Sequence, residues 1–291
     1  MSWSRLVHSI VAATSAGLVL VYSVPNLYPN FVINQQGLED VVLPRHIERA
    51  FEEVAKKMNL PYPEQVKLFI SNGFSNISVG STWLPGGAAI GISRLSLYTD
   101  PEELSNSGLV FKGKKINLDS TAGQKLTKAL LFNEDELKFN LAHEVAHLKN
   151  MDFTTNCFVP AWWLYFTYRA IPVVVANLPA NMLLRGVVQC SLWFSSYWLY
   201  KQQNVMLHHN REFSADENAA ILGKKYAEGG INGTIKRMKV NETLRGLDGE
   251  NGKKFYSIEG NDLKDWAHPK LSERLRKLEE IYVDKYLGDK K

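Results

Sequence analysis

His143-Glu144-Val145-Ala146-His147 sets two imidazoles four positions apart, with a carboxylate beside the first. On a helix that spacing places both rings on one face, where they can chelate a single zinc ion. Glu144 would then stand next to the metal, suited to take a proton from a water whose pKa the ion has brought near neutrality. A catalytic zinc needs a third protein ligand and an open position. Glu212 is the candidate for that ligand, because Asp216 follows one turn later. A carboxylate there can orient a ligand histidine by accepting its second ring N–H. His208 and His209 are rival ligands, since His208 lies four residues before Glu212 and shares its face. Coordination by either would close the site. The expected cofactor is one Zn2+ per chain, held by His143, His147 and Glu212.

Two helices must deliver these side chains to one point. The first has a clear start: Asn133 can cap it, Glu136 completes a capping box, and Glu134, Asp135 and Glu136 suit the positive end of the helix dipole. It is expected to run to about Lys149. The second is a polar helix after Lys201, carrying His208, His209, Glu212, Asp216 and Glu217 and ending near Gly223. Between them lie two apolar segments, 157–179 and 182–200, separated by a short Pro-Ala-Asn turn. They read as a helical hairpin at about 157–200, rich in aromatics that favour membrane interfaces, such as Trp162, Trp163, Trp193 and Trp198. Arg169 and Arg185 are costly facing lipid, which leaves partial insertion or an inward-facing arginine open. A hairpin returns the chain to the side it left and so brings the two site helices together.

The remaining chain supplies a scaffold. Residues 6–24 contain no Asp, Glu, Lys or Arg and are long enough to span a bilayer core. They read as an uncleaved membrane anchor within 1–30; a cleavable signal peptide, mimicked by the Ala-rich run at 12–16, is the rival. Residues 44–60 follow helical spacing through Ile47, Ala50, Phe51, Val54, Ala55 and Met58. Short strands are expected at 65–70, 76–80 and 88–92, and a hairpin over 108–118 turning near Lys112-Gly113-Lys114. A helix capped by Asp119 or Ser120 should reach about Phe132. After the second site helix come another helix, a Gly-rich loop over 246–252 and a closing helix beyond His268-Pro269. The net charge of +4 is spread among mixed signs, so no nucleic-acid partner is expected. Two cysteines, Cys157 and Cys190, exclude a disulfide framework.

HEVAHLKNMD at 143–152 and REFSADENA at 211–219 resemble the paired signatures of the membrane zinc peptidases. That group includes the CAAX prenyl protease, the bacterial heat-shock membrane peptidase and the mitochondrial overlapping-activity peptidase. The resemblance implies zinc on His143, His147 and Glu212, Glu144 as the base, and Asp216 in support. It extends to His268-Pro269 and Arg274, and implies that His268 helps stabilise the oxyanion; read alone, His-Pro is only a helix-start signal. It also implies an edge strand that holds the substrate as an added strand, for which 76–80 and 88–92 are the candidates. Further stretches, among them Ile90-Gly91-Ile92, residues 111–118, Lys138-Phe139-Asn140-Leu141-Ala142 and residues 246–256, are similar to the mitochondrial transmembrane protein 177 family. That likeness implies the inner mitochondrial membrane and biogenesis of cytochrome c oxidase subunit 2. Vertebrate members of that family look like peptidases without the metal motif, which this chain keeps.

The combined expectation is an α+β, zincin-like (gluzincin) domain over 31–291, mainly helical with a small sheet, interrupted by the membrane-associated hairpin. The expected activity is membrane-bound zinc endopeptidase, with a protein or peptide substrate and the lipid bilayer as partners. The alternative is a noncatalytic assembly factor or chaperone of the mitochondrial inner membrane. The endoplasmic reticulum membrane is the alternative location.

Overall fold

The computed structural model describes residues 3–38, 41–73, 75–98, 100–106, 108, 110–179 and 181–288. Met1 and Ser2 of the expected anchor, Leu109 of the expected hairpin and Ala180 of the expected Pro-Ala-Asn turn lie outside them. The chain is mostly helical with a small mixed sheet. It opens with α1 (Trp3–Leu27) and α2 (Pro29–Gln36), Pro29 occupying the first helical turn where its missing N–H costs nothing. α3 (Arg45–Lys57) buries the stripe of Ile47, Ala50, Phe51, Val54 and Ala55, as its periodicity predicts.

Strands β1 (Val66–Ser71), β2 (Ile77–Gly80) and β3 (Ala88–Ser93) form a sheet in the order β1-β3-β2, with β3 parallel to β1 and antiparallel to β2. Gly91 is the register point. A Cβ there would come within 2.6 Å of the Phe69 ring on β1 and 2.8 Å of Ile77 on β2, so only glycine lets both neighbours pack across β3. The outer side of β1 is covered by chain following α2, where the Leu38 amide donates to the Ile70 carbonyl and the Asn72 amide to Gln36. β2 is left as the open edge, apart from the Gly80 amide, which donates to Asn26 Oδ1 at 3.0 Å. This corrects one expectation: 88–92 is the buried central strand and has no free edge, because both its sides are paired.

α4 (Pro101–Asn106) and a two-residue pair, β4 (Val110–Phe111) with β5 (Lys114–Lys115), lead to α5 (Thr121–Leu130). Ser120, rather than Asp119, caps α5 by accepting from the Gly123 amide at 3.0 Å. α6 (Glu134–Asn150) starts on the predicted capping box, with Asn133 Oδ1 and Glu136 Oε2 each 2.8 Å from the other residue's amide nitrogen. Met151 then adopts the left-handed conformation, φ 52°, and α7 (Asp152–Ala176) begins immediately, earlier than the expected 157.

α8 (Met182–Ala220) is one helix of 39 residues, roughly 58 Å long. Its composition turns polar near Lys201, where the expected hairpin ends and the second site helix is expected to begin. No Gly or Pro interrupts 187–220, so a change of polarity changes what the helix faces without ending it. α9 (Lys224–Leu247), α10 (Gly249–Phe255) and α11 (Leu271–Tyr282) complete the fold. The Gly-rich stretch 246–252 is therefore not a loop: Gly249, at φ 58°, turns the chain sharply and α10 follows.

α9 lies close against the start of α6 because Gly229 and Gly230 carry no side chain. A Cβ on Gly229 would sit 2.3 Å from the Asp135 carbonyl oxygen, and one on Gly230 2.5 Å from the Phe139 ring. The core joins α3, β1, β3, α6, the far half of α8, α9 and α11. Leu141, Ala142 and Val145 of α6 and Ala215 and Ala219 of α8 are fully buried in it. α1 lies along α7, and α7 along the near half of α8. Among the described residues, α1 is the helix long and apolar enough to cross a membrane, over Arg5–Leu27.

Candidate metal centre

With Leu141, Ala142 and Val145 locking one side of α6 into the core, His143 and His147 turn toward α8. His143 Nε2 lies 3.4 Å from Glu212 Oε2, His147 Nε2 lies 3.4 Å from Glu212 Oε1, and the two Nε2 atoms are 3.1 Å apart. A tetrahedral zinc with bonds of about 2.05 Å requires ligand atoms about 3.3 Å from one another. The three side chains are thus spaced as the edges of that tetrahedron. His143 Nδ1 is 2.9 Å from Asp216 Oδ1, and His147 Nδ1 is 2.7 Å from Asp152 Oδ2. In the neutral rings each Nδ1–H donates to its carboxylate, which points both Nε2 lone pairs at the same place as the Glu212 oxygens. Converging lone pairs of this kind repel unless a cation or protons lie among them. The donor set therefore fits zinc.

The surrounding charges say the same. Burial opposes protonation of His147, but the Asp152 and Glu212 carboxylates outweigh it and raise its pKa to about 10. His143 is raised in the same way against its burial, by Asp216 and Glu212. Burial pushes Asp216 up, yet the Arg274 charge and the His143 hydrogen bond bring it down to about 2. Glu212, also opposed by burial, is held well below the usual carboxylate range by the two histidines and Arg274. These charges favour ionised carboxylates and, in the metal-free protein, protonated histidines. A folded pKa of about 10 for His147, against 6.5 unperturbed, gives stability that is complete below about pH 6.5 and lost as pH climbs to about 10. Chelated protein is expected to show a melting temperature that falls across that interval. Added zinc should flatten the slope; identical slopes with chelator and with zinc would contradict the proton-for-metal account.

Asp152 holds a position against His147 that its place in the sequence does not suggest. It is the first residue of α7, and the left-handed turn at Met151 swings it back under His147. Arg211 of α8 stands 3.8 Å from its other oxygen and donates to Asn156 Oδ1 at 2.6 Å, tying the start of α7 to the ligand-bearing part of α8. Asp152→Ala is expected to weaken zinc binding roughly 10- to 100-fold, by releasing the ring that Asp152 orients. Competition against a fluorescent chelator measures this, with exposed Glu217→Gln as the control; equal affinities in the two variants would remove Asp152 from the site.

The other expected residues fall around a cleft of about 820 Å³. Glu144 lines it, its carboxylate making no hydrogen bond to a described residue. Asp216 and Arg274 are buried, Arg274 gripping both Asp216 oxygens at 2.6 and 2.7 Å and reaching Glu212 Oε2 at 3.2 Å. His268 stands at the mouth, 55% exposed, with Nδ1 2.7 Å from Asp265 Oδ2 and Nε2 3.9 Å from Glu212 Oε1. Among the described residues His143, His147 and Glu212 are the group that could hold a metal ion, and the rivals His208 and His209 are outside it. His208 faces the cleft, and His209 lies 3.3 Å from the Trp266 carbonyl oxygen. β2 forms another wall of the cleft, from Asn76 to Gly80.

The family model described as "Peptidase family M48" matches residues 44–282. Among curated proteins the chain is similar to Transmembrane protein 177 of Xenopus laevis, 30% identical over 233 residues, covering 77% of this chain and 74% of that protein. The corresponding protein of Danio rerio is 28% identical over 77% of this chain and 74% of its own length, and that of Homo sapiens 28% identical over 87% and 83%. No solved structure matches the chain.

Proposed function

This chain belongs to peptidase family M48 and to the transmembrane protein 177 family, and on that footing we propose that it is a membrane-bound zinc-dependent metalloendopeptidase. The observation that carries the reading is the convergence of His143, His147 and Glu212 beside a free Glu144 at the wall of an open cleft. A zinc ion held there supplies Lewis acidity toward the scissile carbonyl and toward water. Glu144 takes a proton from the attacking water and passes it to the departing amine. His268, held by Asp265, donates to the carbonyl oxygen as negative charge develops there. Arg274 and Asp216 act through His143 and Glu212 and touch no substrate. An extended segment adds to the open edge of β2, reading main chain along 76–80. The alternative is a noncatalytic assembly factor or chaperone in which zinc is structural or absent; a structural zinc would want a closed site, and the cleft beside the triad favours an open one.

The protein and peptide substrates of this reading are membrane or membrane-proximal, because of how the apolar helices are arranged. We place the anchor within 1–30 and the catalytic domain in 31–291, with α7 and the near half of α8, about 157–200, associated with the bilayer. Trp162, Phe166, Phe194, Tyr197 and Trp198 are exposed there. Trp163 Nε1 donates to Ser196 Oγ at 3.0 Å and Thr167 shares that hydroxyl at 2.7 Å, so these polar groups are satisfied between the helices, as a lipid setting requires. Arg185 turns onto the carbonyls of Leu178 and Pro179 instead of facing lipid. Likeness to transmembrane protein 177 supports a membrane location, and the mitochondrial inner membrane is the one we assign to it, on the sequence resemblance alone. In detergent or nanodiscs, the protein is expected to hold about one zinc per chain and to cleave membrane-protein substrates. Chelation should stop cleavage and zinc restore it. Stoichiometric zinc with no cleavage of any membrane-protein substrate would overturn the peptidase reading.

A further inference from the structure

α9 turns one cation into the cleft that the chemistry above does not use. Arg237 lines the same cavity as His143, Glu144 and His268, and its side chain is exposed to it. Among the described residues it makes no hydrogen bond or ion pair. The acids whose charge acts on it are already engaged, Asp216 by both arms of Arg274, Glu212 by the histidines and Arg274, and Asp265 by His268, and Glu144 of the same cavity makes no ion pair with it. Lys236, one residue earlier, shows the contrast, since it is committed to Glu136 Oε2 and the Leu131 carbonyl, both at 2.7 Å.

One side of the setting of Arg237 is apolar, and the other carries the polar groups of the metal centre and Asn241. Val240 and Leu244 follow it on the same face of α9, and Leu126 and Leu130 of α5 line the same cavity. Confinement by the cleft disfavours its cation, as does the charge of Arg274, and the fields of Glu212, Asp216 and Asp265 offset these only in part. A planar fork of donors, charged at every working pH and left without an acid, is a ready partner for a carboxylate arriving from outside.

We propose that Arg237 binds a carboxylate of the substrate, so that the cleft selects an otherwise apolar, extended segment carrying an acidic side chain or a free C-terminus near the scissile bond. The inference rests on the peptidase reading for its substrate class, but its test does not need turnover. Fluorescent apolar peptides are made in matched pairs, Glu against Gln at each position near the cleavage point, and free carboxylate against amide at the C-terminus. Their binding to full-length Glu144→Gln protein is measured with and without zinc. The expected result is a preference of about tenfold or more for one carboxylate-bearing peptide; the pair that shows it identifies side chain or terminus as the source. Adding Arg237→Gln should bring the paired affinities to within about twofold, and Arg237→Lys, which keeps the charge but loses the fork, should retain part of the preference. A ratio near one before Arg237 is changed, a ratio that survives Arg237→Gln, or parallel loss of both peptides with a lowered melting temperature would each overturn the proposal. Failure of the peptidase reading is read separately, as absence of cleavage of every peptide by zinc-loaded wild type while the binding ratio and its dependence on Arg237 persist.

Discussion

Replacing Glu144 with Gln is expected to lower peptide hydrolysis by about 10²–10⁴-fold while leaving zinc in place. The amide has nearly the shape of the carboxylate but cannot accept the proton of the attacking water or return it to the leaving amine. The structure separates this role from metal binding. Glu144 is outside the cluster formed by His143, His147 and Glu212, and its carboxylate makes no hydrogen bond to a described residue. Metal content by mass spectrometry and cleavage of one membrane-protein substrate, measured on the same preparations, check both halves. Cleavage close to wild type would remove Glu144 from the chemistry, whereas loss of the metal along with activity would move it into the ligand set.

Arg274→Ala should have the largest effect on stability. Arg274 is 6% exposed and Asp216 2%, and Arg274 supplies the bidentate contact to Asp216 and a further contact to Glu212. Its loss leaves buried charge without its main partner, which costs about 3–5 kcal/mol. Lysine should not restore the loss, because an ammonium cannot engage both Asp216 oxygens and Glu212 in one plane. Arg276→Ala, two residues on in the same helix, is the control: Arg276 is exposed and its pairing with Glu280 is worth less than about 1 kcal/mol. Thermal denaturation of the detergent-solubilised proteins distinguishes them. Similar melting temperatures for the two variants would show that the Arg274–Asp216–Glu212 contacts carry no special weight. The reading also predicts weaker zinc binding by Arg274→Ala, since Asp216 would no longer be held against His143.

Much of the site is legible in the amino-acid sequence because its logic is helical. Imidazoles four residues apart, an acid one turn beyond Glu212 and a capping box at the start of α6 are local patterns, and α6 appears where they place it. The same holds for the buried stripe of α3 and for the three short strands. Asp152 is not legible in this way, since it follows His147 by five residues and shares no helical face with it. Only the left-handed turn at Met151 brings it to the ring. Dividing α8 at Lys201 treats a change of polarity as a change of structure, and the backbone hydrogen-bond pattern has no such sensitivity. Reading 246–252 as a loop errs in the same direction, because α10 tolerates its glycines once Gly249 has made the turn.

By itself, then, sequence determined which imidazoles share a helix face and could meet at one ion, and which carboxylate stands beside them, because separation along the chain is a covalent fact. Tertiary structure decided what those atoms meet. It put the Glu212 oxygens 3.4 Å from both imidazoles, supplied Asp152 and Arg274 from elements remote from their partners, and paired both sides of 88–92 so that β2 became the open edge. It also left Arg237 facing the cleft without an acid. Those outcomes depend on how α6, α7, α8, α9 and α11 pack against one another, and periodicity reports a helix's apolar face without saying which partner that face will meet.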